Sequence, residues 1–198
     1  MQIFWSGCFC NIKIYIVYCS NLLEKKMKGW ILLMVILSAC QAKDNQAKSE
    51  IYAAQIEGRG AKIGEVLFTD TPQGLLVEVD LQNLPSGVHG FHIHENASCA
   101  AAADKSGNMQ PALAAGDHFD PMHTKQHLGP DGHGHLGDLP ALNVLADGTV
   151  KTSFYMPKLT AEKIKNRAIV IHAGGDNYSD QPQPLGGGGE RIACGIIQ

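Results

Sequence analysis

The stretch His89-Gly90-Phe91-His92-Ile93-His94 carries two histidines two residues apart in a largely apolar segment. Successive side chains of an extended strand point to opposite faces, so His92 and His94 would share one face with their ring nitrogens close together. The pattern therefore predicts a strand that supplies half of a metal site, with the other ligands coming from further along the chain.

A second group of candidate ligands follows at wider spacing. His118-x8-His127-x7-His135-x2-Asp138 offers three imidazole nitrogens and one carboxylate oxygen. This is a tetrahedral donor set that zinc accepts. These residues predict a closed metal site of the structural type.

His172 adds to the first group of ligands. With His92 and His94 it gives an all-imidazole set, which suits copper better than magnesium or calcium and which needs a fourth donor. His118 can serve both groups, because an imidazole that loses both ring protons can bind one metal at each nitrogen. A single side chain would then link the two ions.

The remaining segments predict an all-β fold. In Leu75–Leu81 apolar residues alternate with polar or exposed positions, which is the period of a strand. Thr71-Pro72-Gln73-Gly74 and Asp147-Gly148 have the composition of hairpin turns. Only Leu159–Asn166 resembles a short helix. The other predicted strands are Ile51–Ile56, Gly64–Thr69, Asn143–Ala146, Thr149–Tyr155, Arg167–His172 and Arg191–Ile197.

About eight short antiparallel strands at this spacing predict a Greek-key β-sandwich or flattened barrel. Two long interruptions, Glu95–Leu142 and Ala173–Glu190, are rich in Gly, Pro, Asp and His. Loops of that length in a compact domain are usually functional. The run Gly186–Gly189 reads as a flexible loop, since no strand-to-helix context makes it a phosphate cradle.

The first 40 residues differ from the rest of the 198-residue chain and hold four of its six cysteines. Three lysines at positions 25, 26 and 28 precede the apolar run Trp30–Leu37, which is too short to span a bilayer. Small residues follow before Cys40. This order predicts a signal peptide over residues 1–39, with Met27 as an alternative start.

Leu37-Ser38-Ala39-Cys40 resembles the lipobox of bacterial lipoproteins, which implies that Cys40 carries lipid. The alternative is a buried strand with an unrelated cysteine. Residues 40–50 would form a lipidated tether, because Gln41–Glu50 is polar without periodic pattern, and residues 51–198 would form the folded domain.

Charge narrows the choice of partners. Cleavage before Cys40 removes four of the 16 Lys and Arg (Lys13, Lys25, Lys26, Lys28) and one of the 19 Asp and Glu (Glu24), which leaves a net charge of −6. An acidic chain argues against nucleic acid as a partner.

Six motifs taken together resemble those of the copper/zinc superoxide dismutases, specifically the exported bacterial type. The resemblance covers most of Ile51–Gln198. The motifs are Gly90-Phe-His-Ile-His94, Gly116-Asp-His-Phe-Asp-Pro121, His127-Leu-Gly-Pro130, Gly134-His-Leu-Gly-Asp-Leu-Pro140, Ile171-His-Ala-Gly-Gly-Asp-Asn177 and Gly189-Glu-Arg-Ile-Ala-Cys-Gly195.

The resemblance implies an enzyme that dismutes superoxide to dioxygen and hydrogen peroxide by a redox-cycling copper, with a structural zinc and no organic cofactor. His118 would leave copper and gain a proton during the cycle. The implied copper ligands are His92, His94, His118 and His172, and the implied zinc ligands are His118, His127, His135 and Asp138.

Further roles are implied outside the ligand set. They are Asp176 as a carboxylate joining His92 to His127, Arg191 as a guide for the anionic substrate, His89 as a structural histidine beside the copper strand, and Cys99 with Cys194 as a disulfide.

His123 and His133 match no ligand position and are predicted to be ordinary surface or core histidines. Only His135, and not His133, is followed by Leu-Gly-Asp. The rival function is a lipid-tethered copper or zinc buffer, and a weaker rival is an interaction domain on the same scaffold. A buffer has no use for an anion guide, so Arg191 favours the enzyme.

An exported lipoprotein of this kind would protect the cell envelope from superoxide in the periplasm, with Cys40 holding it to the membrane. Gln41 stands where inner-membrane lipoproteins typically carry an acidic residue, which favours the outer membrane. The sequence leaves the choice between monomer and homodimer open.

Overall fold

The computed structural model describes residues 45–198, so the predicted signal peptide and Cys40 lie outside the described residues. Within that range the fold is almost entirely β, which confirms the predicted class. The strands are β1 (Gln46–Gln55), β2 (Gly58–Thr71), β3 (Gly74–Leu81), β4 (Gly87–His89), β5 (Phe91–His94), β6 (Ala102–Ala103), β7 (Met109–Gln110), β8 (Leu142–Val144), β9 (Val150–Met156), β10 (Ala168–His172) and β11 (Arg191–Ile196). The helix is α1 (Ala161–Ile164), and 3-10 turns occupy Leu113–Ala115 and Leu185–Gly187.

Seven strands form one curled antiparallel sheet in the order β5-β10-β11-β1-β2-β3-β9. Hairpins join β1 to β2 and β2 to β3, whereas β5–β10, β11–β1 and β3–β9 pair strands that are distant in sequence. Such returns are the connections of a Greek key, as expected. Two smaller pairs, β4–β8 and β6–β7, lie outside this sheet.

The alternation of side chains along each strand determines which residues are buried. Alternate residues of β3 are almost wholly inaccessible (Leu75, Val77, Val79 and Leu81), while Glu78 and Asp80 between them are exposed. In β5 the side chains of Phe91 and Ile93 belong to the main core cluster. His92 and His94 therefore point to the opposite face, where they too are fully buried.

The start of the domain corrects one prediction. β1 begins at Gln46, so the last five residues of the predicted tether are strand, paired with residues 65–69 of β2. Their inward positions are filled by Ala47 and Ser49. Small side chains such as these give no hydrophobic alternation in the sequence, which is why the strand was predicted to start only at Ile51.

Several boundaries also shift. β2 extends six residues further towards its start than the predicted Gly64–Thr69, and the strand predicted over Asn143–Ala146 ends at Val144. The predicted helix shortens to α1, where the Thr160 hydroxyl caps the first turn and Ala161 and Ile164 are buried. The helical path ends at Lys165, whose ψ of 146° is extended, and Asn166 follows with a left-handed φ of 59°. No helix among residues 45–198 is long and apolar enough to cross a membrane.

Cys99 and Cys194 form a disulfide with a Cα–Cα distance of 5.8 Å, as predicted. The bond ties the loop between β5 and β8 to β11, the strand that also carries Arg191. The long loop is thereby fixed beside the buried histidines.

Candidate metal centre

The long loop after β5 returns twice alongside that strand and so places two of the candidate ligands. His94 lies opposite His118 and His92 lies opposite Asp138 in isolated antiparallel bridges. Between them, the Ile93 N–H donates to Gly137 O (2.9 Å), and the Ile93 carbonyl accepts from Phe119 N (2.8 Å). Backbone pairing along the edge of β5 opposite β10 therefore brings loop residues to the face that the core leaves free.

Four imidazoles meet on that face: those of His92, His94, His118 and His172. One ring nitrogen from each lies within 4.8 Å of the others, and all four side chains are buried. The structure thus brings together the whole group for which the sequence resemblance implied copper.

Hydrogen bonds fix the tautomers of two of these rings. Nδ1 of His94 donates to Gly116 O (2.9 Å), and Nδ1 of His172 donates to Gly189 O (3.2 Å). Because a carbonyl oxygen only accepts, each Nε2 carries a lone pair when the ring is neutral. Those two Nε2 atoms are 3.4 Å apart. Two facing lone pairs repel each other, so this geometry suits a cation between them.

A second group lies directly beside the first and contains His118, His127, His135 and Asp138. The Asp138 carboxylate faces Nδ1 of His118 at 2.9 Å, of His127 at 3.0 Å and of His135 at 3.5 Å. Nδ1 of His127 and of His135 and one carboxylate oxygen are buried with no hydrogen-bond partner. A buried carboxylate and unpartnered imidazole nitrogens are a donor set that fits zinc.

His118 belongs to both groups. Its Nδ1 faces Asp138, while its Nε2 is buried without a hydrogen-bond partner on the side of the first group. Its ring centroid is 4.0 Å from that of His92. The two nitrogens of one ring therefore open onto two adjacent sites.

Asp176 joins the two groups from behind. Its two carboxylate oxygens accept from Nε2 of His92 (2.8 Å) and from Nε2 of His127 (2.7 Å). Each ring is left with its Nδ1 lone pair directed into its own group. Burial alone would raise the pKa of Asp176. These two hydrogen bonds nevertheless hold that pKa well below its usual range, so the carboxylate is charged.

Burial keeps the first group of imidazoles neutral. It lowers the pKa of all four rings, to about 4 for His118 and about 3 for His172. His127 differs: burial opposes its charge, but Asp138 and Asp176 raise its pKa to about 9. A cation at Nδ1 of His127 would take the place of that proton between the two carboxylates.

Arg191 is held at the edge of the first group by backbone carbonyls. Nη1 donates to Ala112 O (2.8 Å) and Leu113 O (3.2 Å), and Nη2 donates to Gly116 O (2.7 Å). Gly116 O also accepts from Nδ1 of His94. One carbonyl oxygen therefore fixes both the guanidinium and a candidate ligand.

His89 lies behind the site and is no member of either group. Its Nδ1 is 2.8 Å from His172 O and its Nε2 is 2.9 Å from Pro85 O. These contacts connect β4 to the end of β10.

The two remaining histidines, His123 and His133, are exposed and belong to neither ligand group. His123 does line a cleft that opens onto the site. The residues of this cleft are Glu95, Asp117, His118, Asp120, His123, Lys125, His135 and Leu185.

Sequence reasoning missed the positioning groups that act through the backbone. The carbonyls of Gly116 and Gly189 orient imidazoles, and Asp180 accepts from the His127 backbone N–H (2.9 Å). The glycine run, predicted to be only a flexible loop, packs on the site: a Cβ at Gly186 would lie 2.0 Å from Asp176 Oδ1 and 2.7 Å from His127 Nε2. The number of consecutive glycines after a ligand-rich segment was the available signal.

Comparisons with known proteins agree with this geometry. A family profile described as copper/zinc superoxide dismutase (SODC) matches residues 62–197. The superoxide dismutase [Cu-Zn] of Brucella abortus is 47% identical over 165 residues, covering 83% of this chain and 95% of the relative. That of Escherichia coli K12 is 47% identical over 175 residues, covering 88% and 99%.

Solved structures give the same result. The Cu/Zn superoxide dismutase from Brucella abortus superimposes with a TM-score of 0.75 at 49% identity, covering 77% of this chain and 99% of that one. The monomeric copper, zinc superoxide dismutase from Salmonella enterica gives a TM-score of 0.68 at 46% identity, again covering 77% and 99%.

Proposed function

The chain belongs to the copper/zinc superoxide dismutase family and converts superoxide to dioxygen and hydrogen peroxide with copper and zinc, and from this premise we propose that its two buried ligand groups are the two metal sites. The copper ligands are His92, His94, His118 and His172, and the zinc ligands are His118, His127, His135 and Asp138.

The observation that carries this assignment is the set of buried nitrogens without partners. Nδ1 of His92 and Nε2 of His118 are orphaned on one side, and Nδ1 of His127 and of His135 on the other. Leaving such atoms unpaired costs about 1–3 kcal/mol each, so four together support bound cations. Imidazoles alone suit copper, and imidazoles with one carboxylate suit closed zinc sites.

Copper, when bound, supplies a one-electron couple that oxidises one superoxide to dioxygen and reduces a second, which leaves with two protons as hydrogen peroxide. His118 presents Nε2 to the copper group while Nδ1 faces Asp138. Nε2 is therefore the atom at which this side chain takes up and returns a proton. Burial opposes the doubly protonated, charged ring and lowers its pKa in the metal-free protein to about 4.

Arg191 attracts and orients the anion. Three of its five N–H donors are used by carbonyls, and the donors left on Nε and Nη2 have no acceptor within residues 45–198. Since Gly116 O fixes both Arg191 and His94, the cation stands beside the copper group. A metal buffer would need no such cation, so its presence supports the enzyme over that alternative.

The test measures superoxide dismutation and metal content on the same purified sample. His118→Ala should disturb both metals, because it removes a ligand from each group. His172→Ala should weaken copper and leave zinc bound. Normal occupancy of both ions in His118→Ala would contradict the shared ligand.

We further propose that residues 1–39 are a signal peptide, that Cys40 carries lipid and that the protein works in the periplasm at the outer membrane. The basic flank, the short apolar run and the lipobox-like Leu37–Cys40 support this. More than one acyl chain is expected, because a single chain anchors only marginally. Cys40→Ser should release the protein from membranes, and a variant that stays bound after a high-salt wash would contradict the proposal.

A further inference from the structure

The chain between the proposed lipid and the fold is short. Five residues, 41–45, separate Cys40 from the first residue of β1. Fully extended, they reach about 18 Å at most. If Cys40 is lipidated as proposed above, the end of the domain at which β1 starts lies close to the bilayer.

α1 lies at that same end. Asp70 connects the two, because its backbone N–H donates to Asn45 O (2.8 Å) and its Oδ1 accepts from the Ala161 N–H (2.7 Å). At the other end of the helix, Asn166 N donates to Ile197 O (2.9 Å). The helix therefore crosses the end of the sheet where the tether leaves.

This end is basic in an acidic protein. Residues 157–165 hold three lysines and one acidic residue, Glu162, and the Asp70 carboxylate lies at the start of α1, for a local charge of +1, whereas residues 40–198 together carry −6. Lys158 and Lys163 are exposed and donate to the backbone carbonyls of Gly132 and Lys158. Neither forms a salt bridge with any carboxylate of residues 45–198.

Arg167 is not part of the basic surface at this end of the domain. Its guanidinium stacks 3.6 Å above the Phe119 ring and donates to Glu95 O (3.0 Å). The lysine end is therefore defined by Lys158, Lys163 and the half-buried Lys165.

The metal centre lies away from the start of β1. Tyr52 pairs with Cys194, Cys194 with Val170, and Val170 with His92, so these four residues share one level of the sheet. Gln46 precedes Tyr52 by six residues, which is about 20 Å along a strand. The start of β1 is therefore distant from the metal ligands, whereas Ala168, three residues after Lys165, pairs directly with His94.

We propose that the lysine end rests on anionic phospholipid headgroups of the membrane that holds Cys40, and so orients the domain. The inference rests on the proposed lipidation. Each lysine near an anionic membrane surface strengthens binding to that surface by about fivefold. Loss of all three lysine charges should lower the ratio of docked to undocked protein on the order of 100-fold.

The experiment uses the lipidated full chain in phosphatidylglycerol vesicles that contain a headgroup-labelled quencher. A fluorophore is attached at Glu162→Cys on α1 or, as a matched control, at Glu57→Cys in the exposed turn between β1 and β2, at the far end of β1. We expect strong quenching at the first position and little at the second. Phosphatidylcholine vesicles should abolish the difference.

Two charge-matched variants separate a specific surface from net charge. K158Q/K163Q/K165Q should reduce quenching on α1 to the level of the control position, whereas K62Q/K105Q/K151Q, three exposed lysines elsewhere, should leave it unchanged.

Equal quenching at both positions, or equal effects of the two triple variants, would overturn the orientation while leaving the lipoprotein proposal intact. If the wild-type chain proves to carry no acyl groups and high salt washes it off vesicles, both the lipoprotein proposal and the proposed orientation are overturned.

Discussion

Asp176→Asn tests whether one carboxylate sets the metal-binding tautomers of both sites. The carboxylate accepts an N–H from His92 and another from His127. An amide has one oxygen and one NH₂ group, so it can accept from only one of the two rings. The other ring must then move its proton to Nδ1 in order to accept from the amide. That proton removes the lone pair that faces the metal.

The expected loss follows from this geometry. One ligand nitrogen is lost from one site, and residues that orient metal-bound imidazoles typically contribute 10–100-fold to affinity. This corresponds to roughly 1.4–2.7 kcal/mol for the site that loses its donor. The site that weakens identifies the ring that has changed tautomer.

Copper and zinc affinities should be measured separately, by competition with chelators, on protein whose thermal unfolding shows that it is folded. Asp147→Asn is the matched control, since it removes the same charge and its carboxylate accepts only from the N–H and hydroxyl of Thr149 in its own turn, through one oxygen. We expect the control to bind both metals within about threefold of the wild type. Unchanged affinity for both metals in Asp176→Asn would refute the tautomer argument.

Three further predictions follow from the disulfide, the guanidinium and the buried imidazoles. Cys99→Ala/Cys194→Ala should lower the free energy of unfolding by roughly 4–5 kcal/mol in denaturant titrations, because the bond closes a separation of 95 residues, and a loss below about 1 kcal/mol would contradict this. Arg191→Glu should lower the second-order rate by about tenfold or more, far beyond the effect of Arg191→Lys, with metal content unchanged. Added salt should slow the wild type and speed the Glu variant. Rates that depend on neither the substitution nor the salt concentration would exclude the guide role. Metal-free protein should lose stability as the pH falls below about 6.5. Burial lowers the pKa of four imidazoles, so the unfolded chain binds more protons than the folded one. A free energy of unfolding that stays constant from pH 7 to 5 would contradict this prediction.

The sequence was most informative where chemistry and periodicity coincide. The alternation in Phe91–His94 predicted both a strand and the shared face of His92 and His94, and the fold class followed from short alternating segments such as Leu75–Leu81. The disulfide was implied by resemblance and is present. These features are visible because side-chain type alone encodes them.

Backbone groups and small side chains left no comparable signal. The carbonyl of Gly116 orients both Arg191 and His94, yet any residue has a carbonyl, so only the folded loop reveals its role. Ala47 and Ser49 fill the inward positions of β1 without the apolar alternation that marks a strand. The assignment of ligands to individual metals stays a prediction that the metal analyses above address.

The two faces of β5 carry different kinds of side chain, and this separation affects how the fold can evolve. Phe91 and Ile93 face the core, whereas His92 and His94 face the loops. A mutation of a histidine alters chemistry while Phe91 and Ile93 keep their contacts in the apolar core, and a conservative core change leaves the ligands in place. Catalysis and foldability can therefore drift independently, so a descendant could lose its metals, keep the sheet intact and acquire a different activity on the same loops.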